Sequence, residues 1–285
     1  MNIQWFPGHM AKTRRMIAEN AKLVDVVIEL LDARIPIASK NPELGSMLEQ
    51  KPRIIVLNKA DMADATVNEQ WKQYYQQHNL PCIFVNSIQG TGLGQIKAKL
   101  QEIMKPVFEK DAAKGRVFRP IRVMVVGIPN VGKSSFINKI SGRAQAETGN
   151  RPGVTKNKQW VRIGKDIELL DTPGILWPKF EDELIALHLA FTGAIKDEIM
   201  DVEELALKLV EHLCHLYPKE FQQRYQLDDE TMEDTPLAIM EACAKKRGCI
   251  IRGGDYDYNR IANLLLDEFR NCKIGYFSLE TPTEE

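Results

Sequence analysis

Gly127-Ile-Pro-Asn-Val-Gly-Lys-Ser134 matches G-x-x-x-x-G-K-[ST], directly after an apolar run that ends at Val126 and before residues with helical spacing. Glycines in such a loop let backbone N–H groups curl around phosphate oxygens, and the N-terminus of the next helix adds the positive end of its dipole. Lys133 would reach the β- and γ-phosphates and the Ser134 hydroxyl would coordinate Mg²⁺, with Asn130, Val131, Gly132 and Ser135 completing the cradle. A chance glycine-rich turn is the alternative, and the strand leading into the loop argues against it.

The base partner is read from Asn58-Lys59-Ala60-Asp61, which closes the apolar run Ile54–Leu57. A carboxylate at Asp61 accepts two N–H bonds from the N1 and N2 edge of guanine, an arrangement that adenine does not offer. Asn58 would tie this loop to the phosphate loop, and the Lys59 stem would lie along the base face. Ser87, which with Ile88 comes after the run Cys82–Asn86, is placed to offer a backbone N–H to guanine O6. Asp171-Thr-Pro-Gly174 ends a further run; its carboxylate belongs beside Mg²⁺, and the Gly174 N–H can meet the γ-phosphate. Thr155, between the phosphate loop and Asp171, could complete the metal shell only while a γ-phosphate is present.

Positioning these groups requires a scaffold of buried strands. Runs rich in Val, Ile and Leu at Val24–Leu31, Ile54–Leu57, Ile83–Val85 and Ile121–Val126 read as buried parallel strands. Helix-like segments at Asn68–Gln77, Leu93–Met104 and Ser134–Ile140 alternate with them, the pattern of a doubly wound, mostly parallel α/β sheet. Ile163–Leu170, split by Gly164-Lys165-Asp166, reads as a hairpin joining the same sheet. After Pro178 the apolar spacing becomes helical, so the expected organisation is a nucleotide domain over 1–177 and a smaller all-helical domain over 178–285, with Glu280–Glu285 as a frayed tail.

The 285 residues are 44% hydrophobic and 27% charged, which excludes a wholly disordered, collagenous or purely coiled-coil chain. The apolar runs are far shorter than the roughly 20 residues that span a bilayer, and no secretory h-region is present, so the chain is expected to be cytoplasmic. Five scattered cysteines without C-x-x-C spacing read as buried thiols. The net charge of −1 hides a polarity: residues 1–177 carry 26 Lys+Arg against 16 Asp+Glu, net +10, and residues 178–285 carry 12 against 23, net −11. Basic blocks at Lys12–Lys22, Lys105–Arg122 and Arg143–Lys165 suit a polyanionic partner, although any one of them alone is read as a solvated face.

Together these are the five sequence motifs of translation-factor-type GTPases in shuffled order, with the base motifs preceding the phosphate loop. With Trp5-Phe-Pro-Gly-His-Met10, Asp32-Ala-Arg34 and Leu170-Asp-Thr-Pro-Gly-Ile-Leu-Trp-Pro178, the chain resembles the circularly permuted GTPases of the ribosome biogenesis GTPase A, or YlqF, family over essentially its whole length. The resemblance implies GTP hydrolysis with GTP/GDP and Mg²⁺, and a role in late assembly of the large (50S) ribosomal subunit through contacts with the subunit precursor, rRNA and ribosomal proteins. It implies hydrolysis stimulated by that particle, no membrane partner, and a monomer off the ribosome. The position after D-x-x-G, where Ras-like enzymes carry a water-orienting Gln, is Ile175, as in hydrophobic-residue-substituted GTPases. His9, after a Pro7-Gly8 turn, is a candidate water-positioning group or an ordinary surface residue. Asn130 occupies the position that helps hold K⁺ in K⁺-stimulated relatives. The competing readings are a guanine-nucleotide-dependent scaffold with little hydrolysis and a P-loop ATPase or kinase.

Overall fold

Val26–Asp32 (β1) is buried along its whole length, which a strand tolerates only when both faces of its sheet are covered. This computed structural model describes residues 10–48, 51–116, 119–142, 159–172, 174, 182–197 and 200–282. In chain order the first part forms α1 (Met10–Ala21), β1, α2 (Pro42–Met47), β2 (Arg53–Asn58), α3 (Ala65–Gln77), β3 (Cys82–Val85), α4 (Gly94–Ala113), β4 (Ile121–Val126), α5 (Lys133–Ser141), β5 (Gln159–Ile163) and β6 (Ile167–Asp171).

The six strands lie in the order β3-β2-β1-β4-β6-β5, parallel except for the antiparallel edge strand β5. From β1 the chain winds outward through β2 and β3, then crosses back to place β4 on the other side of β1. The crevice outside the carboxyl ends of strands at such a reversal is where open α/β sheets bind ligands. One sheet face carries two apolar clusters, Val27 with Ile17, Leu44 and Met124, and Leu31 with Leu57, Trp71 and Tyr75.

The structure alters several expectations. The block Lys12–Lys22 lies on α1 and its connection to β1, because Ile17, Ala21 and Val24 recur at helical spacing and bury against β1 and β4. Helix α4 continues past Met104 to Ala113 although Pro106 lies inside it; its buried stripe of Ile96, Leu100 and Met104 ends there, and the later turns are largely exposed. The hairpin is longer than read, since β5 begins at Gln159. Of the five free thiols, Cys243 and Cys249 are buried, whereas Cys82, Cys214 and Cys272 are only partly covered.

The chain divides into two compact units, one of residues 4–180 with residues from 280 onward, the other built on Glu181–Leu279. Glu280, read as part of a frayed tail, is instead buried: its carboxylate accepts from the N–H groups of Ile37 and Ala38 at 2.5 and 3.1 Å, and its carbonyl accepts from Trp71 Nε1 at 3.2 Å. The second unit is helical: α6 (Glu183–Phe191), α7 (Val202–Leu216), α8 (Pro218–Tyr225), α9 (Asp229–Met232), α10 (Pro236–Arg247) and α11 (Tyr258–Arg270). Helix α7 packs against α6, α8, α10 and α11. Arg270 closes the end of α6 by donating to the carbonyls of Ala190 and Phe191 while paired with Asp197 at 2.6 Å. Among the described residues no helix is long and apolar enough to cross a membrane.

Glu29 sits in the middle of β1 at 2% exposure, and among the described residues neither carboxylate oxygen accepts a hydrogen bond. Burial raises its pKa, opposed by Arg53, whose Nη1 is 3.7 Å away, and by Lys40. A carboxyl whose folded-state pKa lies above its unfolded value costs stability once the pH exceeds the unfolded value. Glu29→Gln is therefore expected to raise the urea midpoint at pH 7.5 and to leave it nearly unchanged at pH 4, as measured by urea unfolding at the two pH values.

Candidate functional site

All five parallel strands present their carboxyl ends along one edge, and each sequence motif described there leaves from one of them. After β4 the chain turns into the loop 127–132 and enters α5 at Lys133, with Asn130 and Gly132 at φ of +58° and +99°. Those left-handed turns curl the loop so that α5 begins at its mouth.

Asn58, at the end of β2 and 2% exposed, joins three segments. Its Nδ2 donates to the Val131 carbonyl at 2.7 Å, and its Oδ1 accepts from the Ser87 backbone N–H at 3.1 Å and the Ser87 hydroxyl at 2.7 Å. The base loop, the loop after β3 and the phosphate loop are thus pinned to one amide. A Cβ on Gly132 would lie 2.4 Å from Asn58 Nδ2, so only glycine lets the loop pass this close. The Ser87 N–H, expected to face guanine O6, is here engaged by Asn58, because the β3 end places it within reach of that side chain. The next residue, Ile88, is 80% exposed, and its N–H donates to Asn86 Oδ1 at 2.8 Å. Asp61 is exposed beyond the end of β2.

Lys59 has a φ of +58°, and its ammonium lies 2.9 Å from Asp32 Oδ2. Asp32 closes β1 directly beside Asn58 and also receives Arg34, from Nε at 3.0 Å and Nη2 at 2.8 Å. Burial pushes the Asp32 carboxyl up, but the two cations overcome it and hold its pKa well below the usual carboxylate range. In the sequence, Asp32 and Arg34 stand out only through a family resemblance; an acid closing a wholly buried, mostly apolar strand, with an arginine two residues on, is the signal that points to a positioning role.

On the phosphate side Lys133 is buried, and its Nζ donates to the carbonyls of Gly127 at 2.9 Å and Ile128 at 2.7 Å. Burial pulls its pKa down to about 8, and the Asp171 charge opposes that shift. Asp171 ends β6 at 3% exposure, and the neighbouring Thr172 hydroxyl donates to Val125 O at 2.6 Å, tying this segment to β4. Gly174 lies against the same loop: a Cβ there would come within 2.8 Å of the Pro129 backbone and 3.0 Å of Lys133 Nζ. Ser134 and Ser135 are half-buried in the first turn of α5. His9, Thr155 and Ile175 lie outside the described residues. The structure therefore brings Asn58, Ser87, Val131, Gly132, Lys133, Asp171 and Gly174 into one array, with the Asn58 amide at one side and the buried Lys133 ammonium at the other.

Residues 122–245 match the family model described as 50S ribosome-binding GTPase. Over 284 residues the chain is 48% identical to ribosome biogenesis GTPase A of Bacillus licheniformis, with 100% of both chains covered. Among solved structures it is similar to GDP-bound TM YlqF, at 27% identity and a TM-score of 0.67 over 95% of this chain and 100% of that one. It is also similar to GNP-bound YlqF from T. maritima, at 26% identity and a TM-score of 0.65 over 96% and 100% of the two chains.

Removing the amide that joins the loops strands a buried carbonyl and frees both loops. Asn58→Ala is expected to lower stability by about 1–3 kcal/mol and to weaken GDP binding by at least about tenfold, measured by urea unfolding and titration calorimetry.

Proposed function

The chain belongs to the ribosome biogenesis GTPase A family and is a GTPase, and from that premise we propose that it acts as an assembly factor in late maturation of the large ribosomal subunit. In this reading it binds the subunit precursor through rRNA and ribosomal proteins, hydrolyses GTP on that particle and then leaves it. The single observation that carries the nucleotide part is Asn58, whose one side chain holds the guanine-type loop against the phosphate loop.

We assign Asp61 to the N1 and N2 hydrogens of guanine and the Lys59 stem to the base face, with Asp32 holding its ammonium. The N–H groups opening α5, with Val131, Gly132 and Ser135 around them, receive the phosphates. Lys133, whose pKa burial lowers to about 8, is a compact donor that would exchange two backbone carbonyls for phosphate oxygens. Ser134 and buried Asp171 are hard oxygen donors flanking that lysine, which fits Mg²⁺; when bound, the ion offsets the charge on the β- and γ-oxygens. Gly174, against Pro129 and Lys133, is assigned as the γ-phosphate sensor, and Thr155 as its metal-side counterpart. Asn130 is assigned to K⁺, and His9 to positioning the attacking water that Ile175 cannot orient.

The ribosomal part is supported by the family membership and by the net charge of +10 over residues 1–177, which suits RNA phosphates. Cytoplasmic placement and a monomeric state off the ribosome belong to the same reading.

Asp61→Asn replaces one acceptor oxygen by an NH₂ donor, which mismatches the guanine N2 hydrogens and matches the xanthine O2 acceptor. The variant is expected to lose GTP affinity by about a hundredfold and to gain affinity for xanthosine triphosphate, measured by competition binding. Turnover of the unmodified chain is expected to be slow alone, to rise when purified large ribosomal subunits are added, and to be faster in K⁺ than in Na⁺. Turnover unaffected by the particle would favour the scaffold reading, and equal rates in the two salts would remove the K⁺ assignment.

A further inference from the structure

At the opposite ends of the strands from the phosphate loop, the sheet edge carries a row of charges that the nucleotide site does not use. Arg122 on β4, Glu168 on β6 and Arg162 on β5 are register neighbours across three adjacent strands. Glu168 links them, from Oε2 to Arg122 Nε at 3.4 Å and from Oε1 to Arg162 Nε at 3.1 Å. Two residues along β5 on the same face stands Trp160, 38% exposed, with the Arg122 guanidinium carbon 5.6 Å from its ring centroid. Leu23, exposed between α1 and β1, forms the remaining wall of an open cavity of about 470 Å³ lined by these five side chains. That volume lies in the range of small-molecule sites.

The composition of this cavity is informative. Charge alone guards an edge strand against pairing with another chain; a half-exposed indole does not serve that purpose. Here the partly exposed indole has the Arg122 guanidinium over its ring and Arg162 in the same cavity lining, and one carboxylate pairs with both arginines while leaving the row with a net positive charge. Arg162, paired with Glu168 through Nε, keeps its side chain 80% exposed to solvent. Nucleobases stack on aromatic rings and on arginine planes, and the phosphates flanking an unpaired base take a guanidinium fork. We infer that this cavity is a second binding site, which takes an unpaired nucleobase of single-stranded or looped RNA, stacked on Trp160 and Arg122 with its phosphate on Arg162. The site rests on the ribosomal reading only for which RNA fills it; the geometry is independent of guanine nucleotide.

The test is fluorescence anisotropy with a labelled ten-nucleotide single-stranded RNA and a fully paired duplex of the same sequence, on the full chain at fixed salt. Trp160→Ala and Trp160→Leu are each expected to weaken single-strand binding by about tenfold or more, Trp160→Phe to stay within about threefold, and duplex binding to change little. Trp160→Leu keeps an apolar side chain on the strand and serves where the alanine variant folds poorly, as judged by GDP calorimetry on the same samples. Unchanged single-strand affinity in Trp160→Leu, or an equal loss on the duplex, overturns the proposal, as does failure of the unmodified chain to bind the single strand. Loss of ribosomal-particle binding in Trp160→Leu with RNA affinity intact also overturns it and marks a protein contact instead. An unmodified chain that binds RNA in this way but gives no heat with GDP would refute the nucleotide reading and leave the pocket standing.

Discussion

One amide organises the nucleotide site. Asn58 donates to Val131 on the phosphate loop and accepts twice from Ser87, so three segments separated by long stretches of chain share a single buried hydrogen-bonding hub. Only a side chain with a donor at one end and an acceptor at the other satisfies that set: a carboxylate would repel the Val131 carbonyl, and an aliphatic chain would leave it unsatisfied. The hub works because Gly132 has no Cβ to obstruct it. The distance between the loop after β2 and the loop before α5 is thereby fixed within the fold, and in the proposed nucleotide reading that lowers the ordering cost of binding.

The charges around the hub obey the same logic. Asp32 is buried but lies under Arg34 and Lys59, so its charge is compensated and the Lys59 stem is held against the loop it serves. Lys133 is buried, with the carbonyl oxygens of Gly127 and Ile128 and the field of Asp171 to offset it among the described residues, and burial still holds its pKa below that of an exposed lysine. Such a donor has more to gain from phosphate oxygens than one already satisfied by water. Glu29 is the contrast: a carboxyl in the sheet interior with a distant Arg53 as its nearest cation and no hydrogen bond among the described residues.

Shuffled motif order is compatible with an intact site because of what a parallel sheet does. Every parallel strand delivers its carboxyl end to the same edge, whichever strand the chain visits first. Visiting the base strands β1 to β3 before β4 changes only the connections. The same order sets where the chain goes once the last motif is complete: beyond Gly174 it passes into the helical unit, and it returns to the first unit at Glu280, whose carboxylate caps the N–H groups of the Ile37–Ala38 loop.

The phosphate loop, the guanine-type motif and the alternation of strands and helices were legible because each depends on neighbours within a few residues: glycines before a lysine, an acid closing an apolar run, a period of two or 3.6. Helix α1 reads as a charged block because its apolar stripe is short, and Asp32 could not be assigned a role because its partners Arg34 and Lys59 converge on it only in the folded sheet. The use of the Ser87 N–H by Asn58 and the burial of Glu280 against Ile37, 243 residues away, were decided by tertiary packing, and the row formed by Arg122, Glu168 and Arg162 by strand register. Sequence by itself determined the chemistry available and the elements that carry it. Which groups are already satisfied and which are left to meet a ligand was settled only by tertiary structure, because a hydrogen bond depends on distance in space and the chain records only distance along itself.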